Sequence, residues 1–283
     1  MNPYIAFEMT RPRSRQSKRH ETVSPTGRRP ILSFLAVLGL TACGGGGALA
    51  PNGLPFADAS SSVASPPLAQ GESITGMMTG YRLSPMGTLI GGERGATLTR
   101  TGPDRLHLVA NGIDLTMVTT AHPDYYAALS DETRELRFLP SPSDDVRIAR
   151  MTLGTLMGTM PVGYLSPQDA IPTVGGAHYN GTFEIMANDN SGVLAPEEWG
   201  IGLLVDFGSG MIGGVIDADG TALDVETVAI SGGSFATTLS DGAGTMGNID
   251  GSFYGHDAAA IAGNVDVLRP GSSARGSYVV THD

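Results

Sequence analysis

Six histidines are the residues in this sequence best suited to bind a metal ion: His20, His107, His122, His178, His256 and His282. No two of them have the spacing of paired ligands. His256-Asp257 is compatible with a metal-binding pair, although a polar hairpin tip explains it better. The DADG segment that begins at Asp217 starts like a calcium-binding loop but lacks the later acidic ligands, so a β-turn is the better interpretation. We therefore predict no metal site.

An acidic pair, Glu197-Glu198, stands beside Trp199 and is the arrangement closest to a general acid and base. Such catalysis needs two carboxylates that face each other across a cleft, whereas neighbours on a strand point to opposite faces. Solvated loop charges are the better interpretation. The sequence contains no Gly-x-Ser-x-Gly elbow, and its one lysine, Lys18, is not in a phosphate-binding loop. We predict that the protein is not an enzyme and binds no cofactor.

The single cysteine, Cys43, follows an apolar run of ten residues, 31–40, in the string LTACG. A helix of that length would reach roughly 15 Å, half the hydrocarbon core, which indicates a signal peptide and not a membrane span. The string resembles the lipobox of bacterial lipoproteins, in which the cysteine thiol is lipidated. We predict a lipoprotein signal peptide over 1–42 and a covalent lipid on Cys43 that anchors the chain to the membrane. The alternative is a thiol that is buried in the core, or free and incidental. By analogy with lipoprotein sorting, Gly44 favours the outer membrane.

Charge is divided unevenly between the start of the chain and the rest. The 283 residues carry a net charge of −11, but residues 1–42 carry +5 and residues 43–283 carry −16. This split is typical of a targeting segment ahead of an acidic mature protein, and it argues against nucleic-acid binding through a basic surface. Residues 43–70 are rich in Gly, Ala, Ser and Pro, which predicts a flexible tether.

Period-two alternation of apolar residues dominates residues 71–170. Segments 96–100, 105–109 and 113–118 alternate in this way, and the dipeptide Asn111-Gly112 favours a type I′ turn between the last two. These features predict a β-meander. Segments 125–129 and 131–136 are compatible with a short helix or a turn, and 146–155 is extended. The first half is thus a small β domain.

Eight strand candidates follow Gly176, each bounded by Gly, Asn or Asp: 177–187, 199–207, 210–217, 222–230, 234–239, 244–254, 259–268 and 275–281. Short strands in regular succession with tight turns favour a sandwich or a barrel, and eight antiparallel strands joined in order close readily into a barrel. We predict an all-β fold that ends in an eight-stranded up-and-down antiparallel barrel. The predicted inward-facing residues are Tyr179, Phe183, Ile185, Trp199, Ile201, Leu203, Val205 and Phe207.

Three ordered motifs carry a family resemblance: DAIPTVGGAHYNG at 169–181, VDFG at 205–208 with MIGGVI at 211–216, and GSFYGHDA at 251–258 with IAGNV at 261–265. They resemble the opening strand, a hairpin and the most specific signature of the transferrin-binding-protein-like β-barrel of bacterial surface lipoproteins. His256, Ala260 and Asn264 depart from the family pattern and mark a distant member. The motif residues that the resemblance assigns to the barrel structure are Asp206, Phe207, Gly208, Gly251, Phe253, Tyr254, Gly255, Ala258 and Gly263.

The resemblance implies a single-lobe member, with a handle-like domain over 71–170 and the barrel over 171–283. It implies a non-catalytic outer-membrane lipoprotein that binds a host protein or a small iron- or haem-bearing ligand through loops of a rigid scaffold. The alternative is a structural envelope lipoprotein without a specific ligand. The scarcity of Tyr, Trp and Arg in the barrel region favours a small or weakly bound ligand, or none. The sequence leaves open whether the protein faces the periplasm or the cell exterior.

Two further sequence patterns, an excess of acidic residues and a group of methionines, each have two explanations. From residue 171 onward there are 14 acidic residues against Arg269 and Arg275, which indicates either solubility or attraction of a basic protein or cation. Six of the seven methionines between residues 71 and 170 indicate either core packing or an adaptable apolar patch. They are Met77, Met78, Met86, Met151, Met157 and Met160.

Overall fold

The computed structural model describes residues 68–282 apart from residues 87, 121, 123, 130 and 190–193. The predictions for the signal peptide, for Cys43 and for the tether up to residue 67 lie outside the described residues. In the part of the chain that is described, no helix is long and apolar enough to cross a membrane.

The first half of the described chain forms eight antiparallel strands joined in chain order. They are β1 (Ser73–Leu83), β2 (Leu89–Gly102), β3 (Arg105–Ala110), β4 (Ile113–Thr119), β5 (Tyr125–Ala128), β6 (Asp131–Phe138), β7 (Val146–Leu153) and β8 (Leu156–Gly163). The last strand pairs with the first, with Thr79 opposite Thr159, so the predicted meander closes into a barrel. Closure leaves no unpaired sheet edge.

The stretch that begins at Tyr125 is extended, so the short helix considered for it is wrong. Tyr126 and Ala128 of β5 are buried inside the barrel, and so are Leu136 and Phe138 of β6. The ring of Tyr126 meets that of Phe138 edge to face, with centroids 6.0 Å apart. Burial of every second residue along both strands outweighs the weak local helix signal.

The second half forms another closed barrel of eight antiparallel strands, in which the last strand pairs with the first. The strands are β9 (Gly176–Asn188), β10 (Leu194–Asp206), β11 (Met211–Ala218), β12 (Thr221–Ala229), β13 (Ser234–Ser240), β14 (Met246–Tyr254), β15 (Ala260–Arg269) and β16 (Ser272–His282). Two short 3-10 turns, Gln168–Ala170 and His256–Ala258, lie outside the strands. The predicted all-β fold and its up-and-down barrel are confirmed.

The inward-facing residues predicted for β9 and β10 form the core of this barrel. Seven of them are buried: Tyr179, Phe183, Ile185, Trp199, Ile201, Leu203 and Val205. Phe207 is partly buried against the same core. Period-two patterning therefore sets the register correctly, because a slip of one residue would turn these side chains outward.

The two barrels contact each other through β1, β7 and β8 on one side and β14, β15 and β16 on the other. An apolar cluster at the contact contains Val146 and Ile148 of β7 and Tyr254 of β14. The carboxylate of Glu184 on β9 forms an ion pair with Arg150 of β7. Burial lowers the pKa of Arg150 to about 10. The contact thus combines apolar burial with paired charge.

Candidate functional site

Side chains fill the interiors of both barrels. Large buried residues inside the first are Met78, Leu98, Leu106, Leu108, Met117, Tyr126 and Phe138. Large buried residues inside the second are Tyr179, Phe183, Trp199, Phe253 and Tyr278. An eight-stranded barrel is just wide enough for its own side chains. The grooves described below accordingly lie on the outer surface of the described chain.

A groove of about 440 Å³ lies where the barrels meet, and we call it the junction groove. Its lining residues are Ser73, Ile74, Thr75, Gly76, Met77, Pro161, Gly163, Tyr164, Leu165, Asp250, Ser252, Tyr254, Ala262, Gly263 and Asn264. Met77 and Tyr164 are each 46% exposed and Leu165 is 61% exposed. The groove thus combines exposed apolar and aromatic side chains of the first barrel and the segment after it with polar side chains from both barrels.

Asp250 is the acidic residue of the junction groove. Its side chain lies on the outer face of β14, because the adjacent Ile249 is buried inside the barrel. It also lines a second groove of about 590 Å³, together with Glu93 of the first barrel. Burial, and then the negative charge of Glu93, raise the pKa of Asp250 to about 6, while hydrogen bonds from Asn264 act in the opposite direction.

The arginine that lines the second groove is already paired. Arg275 lines the second groove and its guanidinium lies 2.6 Å from a carboxylate oxygen of Asp266. Among the ion pairs of the described residues, none includes Asp250. A partly desolvated carboxylate without a cationic partner is a suitable site for a positively charged ligand.

A chain of polar contacts runs from the edge of the groove into the contact between the barrels. Ser277 donates to Oδ1 of Asn264 at 2.8 Å and lies 2.9 Å from Oγ1 of Thr159 in the first barrel. Nδ2 of Asn264 donates to the backbone oxygen of Met77 at 3.3 Å. These hydrogen bonds hold one wall of the junction groove against the other.

The most specific family motif, at 251–258, lies at this same contact. Tyr254 is buried between the barrels, and its backbone forms an isolated bridge with Leu165. The backbone oxygen of Gly255 accepts a hydrogen bond from Ser166 Oγ at 2.7 Å. A side chain at Gly255 would overlap the carboxylate of Asp145, and the residue has a positive φ of 76°. The motif therefore forms the turn between β14 and β15 and also contacts the first barrel and the segment after it.

The remaining motif residues lie inside the barrel or at its turns. Phe253 is buried in the core, where its ring centroid is 5.8 Å from that of Phe207. The backbone oxygen of Ala258 accepts a hydrogen bond from Tyr179 at 2.6 Å. Gly251 and Gly263 lie on adjacent strands where an added Cβ would contact neighbouring side-chain or backbone atoms closely.

Asp206 caps the turn between β10 and β11. Its Oδ1 accepts hydrogen bonds from the backbone N–H groups of Gly208 at 2.9 Å and Ser209 at 3.2 Å. Its Oδ2 accepts one from the Ser209 hydroxyl at 2.7 Å. These bonds to the charged form, the hydroxyl bond foremost, lower the pKa of Asp206. The geometry is that of a turn and not of a ligand site.

The other residues considered for chemistry remain apart from the junction groove. His256 and Asp257 are exposed and form a pair at 2.7 Å on the hairpin tip. Asp217 Oδ1 accepts a hydrogen bond from the backbone of Gly220 at 2.8 Å, as a β-turn requires. No group of three or more potential ligands among His, Cys, Asp and Glu comes together in the described part of the chain.

Glu197 is not the solvated loop charge that the sequence suggested. It belongs to β10, and its carboxylate accepts a hydrogen bond from the indole N–H of Trp199 at 2.9 Å. It also lies 3.7 Å from Arg269, whose guanidinium is 4.7 Å from the centre of the Trp199 ring. The reason is that β10 begins earlier than predicted, which places residues 197 and 199 on one face.

The methionines divide between the two roles considered for them. Met78, Met151 and Met160 are buried in the core of the first barrel, while Met77 and Met86 are exposed. Met77 belongs to the junction groove and Met86 lies between β1 and β2. Core packing is therefore the correct interpretation for the three buried methionines, and the adaptable patch stays a prediction for the exposed ones.

Sequence reasoning missed Asp250 and its surroundings. The residue directly precedes the family motif, and its outward position follows from the strand register. Its environment depends on Glu93 and Met77, which belong to the other barrel, and no local pattern reports that proximity.

Among the comparisons with known proteins, only the comparison of structures gave matches. No family model matches the sequence, and no curated protein matches it. The fold matches a mutant of transferrin binding protein B, a vaccine antigen from Haemophilus parasuis Hp5, with a TM-score of 0.50 and 14% identity. The match covers 74% of this chain and 44% of that one.

The chain has the fold of a part of transferrin binding protein B. A double mutant of the same Haemophilus parasuis protein gives a TM-score of 0.50 at 14% identity, over 74% of this chain and 45% of that one. The isotype 1 protein from serogroup B Neisseria meningitidis aligns with a TM-score of 0.45 at 12% identity, over 75% and 63% of the two chains. The resemblance inferred from the motifs is thus confirmed for the fold. The chain spans less than half of the Haemophilus structures that it matches.

Proposed function

We propose that this protein is a non-catalytic, lipid-anchored binding protein of the bacterial outer membrane, and a distant member of the transferrin-binding-protein-like family. The observation that carries the proposal is the fold of transferrin binding protein B with both barrel interiors filled by side chains. A filled scaffold has no room for substrate inside, so binding takes place on the loops and grooves of its outer surface.

The proposed layout follows the sequence. A signal peptide over residues 1–42 exports the chain, Cys43 carries the lipid, and residues 43–70 tether a handle-like domain over 71–170 and a barrel over 171–283. Two or more acyl chains give stable anchoring, because one chain alone binds a membrane only marginally. Metabolic labelling with a palmitate analogue tests the anchor: the wild-type chain should be labelled, and the Cys43→Ser variant should not.

The proposed ligand is an extracellular protein, with an iron- or haem-bearing molecule as the second choice. Support comes from the matched structures, which by name belong to a protein that binds transferrin. Because the chain spans less than half of those structures, transferrin is the first probe to use and not the assumed ligand.

The experiment uses purified full-length mature chain with Cys43→Ser, immobilised on a sensor. Iron-loaded transferrin, iron-free transferrin and haem are applied as separate probes, followed by whole serum. Saturable binding of one probe supports the proposal. If the folded protein binds none of them saturably, a ligand-free envelope role explains the protein better.

One observation favours that second role. The one tryptophan of the sequence, Trp199, is buried, so no tryptophan is available on the described surface as an anchor for a partner. Large aromatic residues carry much of the energy in many protein interfaces. A structural lipoprotein would instead show an envelope defect on gene deletion without any saturable ligand.

A further inference from the structure

The junction groove contains a carboxylate whose charge the protein leaves uncompensated. Asp250 lines two grooves that meet at the contact between the barrels, and the charged residue that affects it most is Glu93, also an acid. The nearby Arg275 is held by Asp266 at 2.6 Å. Removing a carboxylate from water without a cation costs free energy, and a bound cation would recover that cost.

Part of the wall of the junction groove is apolar and accessible. Met77, Tyr164 and Leu165 line the groove and are 46%, 46% and 61% exposed. The Tyr164 hydroxyl is hydrogen-bonded to Glu72, which fixes the ring at the rim of the groove. An apolar wall beside a carboxylate matches a ligand that has both a positive charge and an apolar stem.

The volume of the groove and the negative charge of the second half of the chain narrow the choice of ligand. A volume of about 440 Å³ accommodates one or two side chains and not a folded domain. The second half of the chain has 14 acidic residues against two arginines from residue 171 onward, and this field attracts basic partners.

We propose that the junction groove binds an arginine or lysine side chain, flanked by apolar residues, that is presented by the surface of a protein partner. This inference rests on the proposed function, because it names the part of the molecule that would contact the captured protein. The cationic group pairs with Asp250, and the side-chain stem lies along Met77 and Leu165.

Two short peptides serve as probes, and neither depends on knowing the natural partner. One is a blocked tripeptide with arginine between two leucines, and the other replaces arginine with citrulline, which has the same shape without the charge. Calorimetric titration into the full mature chain at pH 7 should show saturable millimolar binding of the arginine peptide and binding about tenfold weaker for the citrulline peptide.

Asp250→Asn removes the charge and retains an oxygen that can accept a hydrogen bond from Asn264. This variant should bind both peptides equally weakly. Asp224→Asn is the matched control, because Asp224 is an exposed acid on β12 outside the groove. It should bind like the wild type. A second variant, Leu165→Ser, changes an exposed residue and should weaken both peptides several-fold.

The outcomes separate this inference from the proposed function. Equal binding of the two peptides, equal binding by wild type and Asp250→Asn, or no binding up to about 10 mM would overturn the groove assignment. If the peptides bind as expected while no protein is captured, only the proposed function fails. If the wild type and Asp250→Asn capture a protein with the same affinity, only the groove assignment fails.

Discussion

Ser277 of the second barrel lies 2.9 Å from the hydroxyl oxygen of Thr159 of the first, and both residues are almost fully buried. Ser277 also lies 2.8 Å from Oδ1 of Asn264. One hydroxyl group therefore connects the two barrels where their apolar contact gives way to the junction groove. The relative position of the groove walls depends on this connection.

Replacing Ser277 by alanine should destabilise the protein. The substitution leaves Oδ1 of Asn264 without this donor in a buried place, and a lost buried hydrogen bond costs about 1 to 3 kcal/mol. Urea unfolding measures the change. The control is Ser240→Ala, since Ser240 is exposed at the end of β13, and it should change stability by less than about 0.5 kcal/mol. Equal effects of the two substitutions would contradict the role assigned to Ser277.

Replacing Gly263 by alanine should destabilise the folded protein more than replacing Ser277 by alanine does. A Cβ at residue 263 would overlap the backbone oxygen of Asp250 on the adjacent strand, and backbone atoms cannot move aside as a flexible side chain can. Overpacking of this kind costs about 3 kcal/mol. Gly95→Ala is the matched control on β2, because nothing lies within 4 Å of its added Cβ. Chemical denaturation of both variants should separate them clearly, and similar stabilities would show that β14 and β15 are not packed this closely.

Stability should depend on pH through Asp250. Its pKa is raised from 3.8 to about 6 in the folded protein, chiefly by burial and by Glu93, so the folded state keeps a proton that the unfolded chain releases between these values. Ionisation therefore destabilises the fold as pH rises from about 4 to 6. Asp266 and Arg275, which also line the adjoining groove, are paired with each other and remain so in the variant below.

The free energy of unfolding should reveal this effect as a difference between two proteins. At pH 7, Asp250→Asn should be more stable than the wild type by about 1 to 3 kcal/mol. The difference should shrink toward zero below about pH 3, under both pKa values, where the aspartate is protonated in both states. A difference that stays constant with pH, or a variant less stable than the wild type at pH 7, would contradict a desolvated carboxylate.

Much of the fold could be predicted because its determinants are local. Strict alternation, as in Trp199, Ile201 and Leu203, sets which face of a strand is buried, and Gly or Asn-Gly dipeptides mark the turns. The closure of the first barrel was not predicted. It depends on Thr79 pairing with Thr159 across most of that half of the chain, and no local pattern encodes such a pairing.

The candidate site could not be predicted for a related reason. The family motif beginning at Gly251 was identified, but as part of one barrel. Its second role follows from contacts with Leu165, Ser166 and Asp145, which precede the second barrel in sequence. In the sequence, Asp250 resembles any outward-facing acidic residue. Its desolvation depends on the neighbouring barrel, which the sequence pattern around it does not report.

In this description of the site, Asp250 is a desolvated carboxylate whose charge a bound cation would neutralise. Carbon-detected NMR of the aspartate side-chain carboxyl, assigned with Asp250→Asn, tests this most directly. We expect a titration midpoint near pH 6 in the free protein, in keeping with the pKa of about 6, and a lower midpoint with the arginine peptide but not with the citrulline peptide. A midpoint near the ordinary aspartate value of 3.8, unchanged by either peptide, would contradict the account.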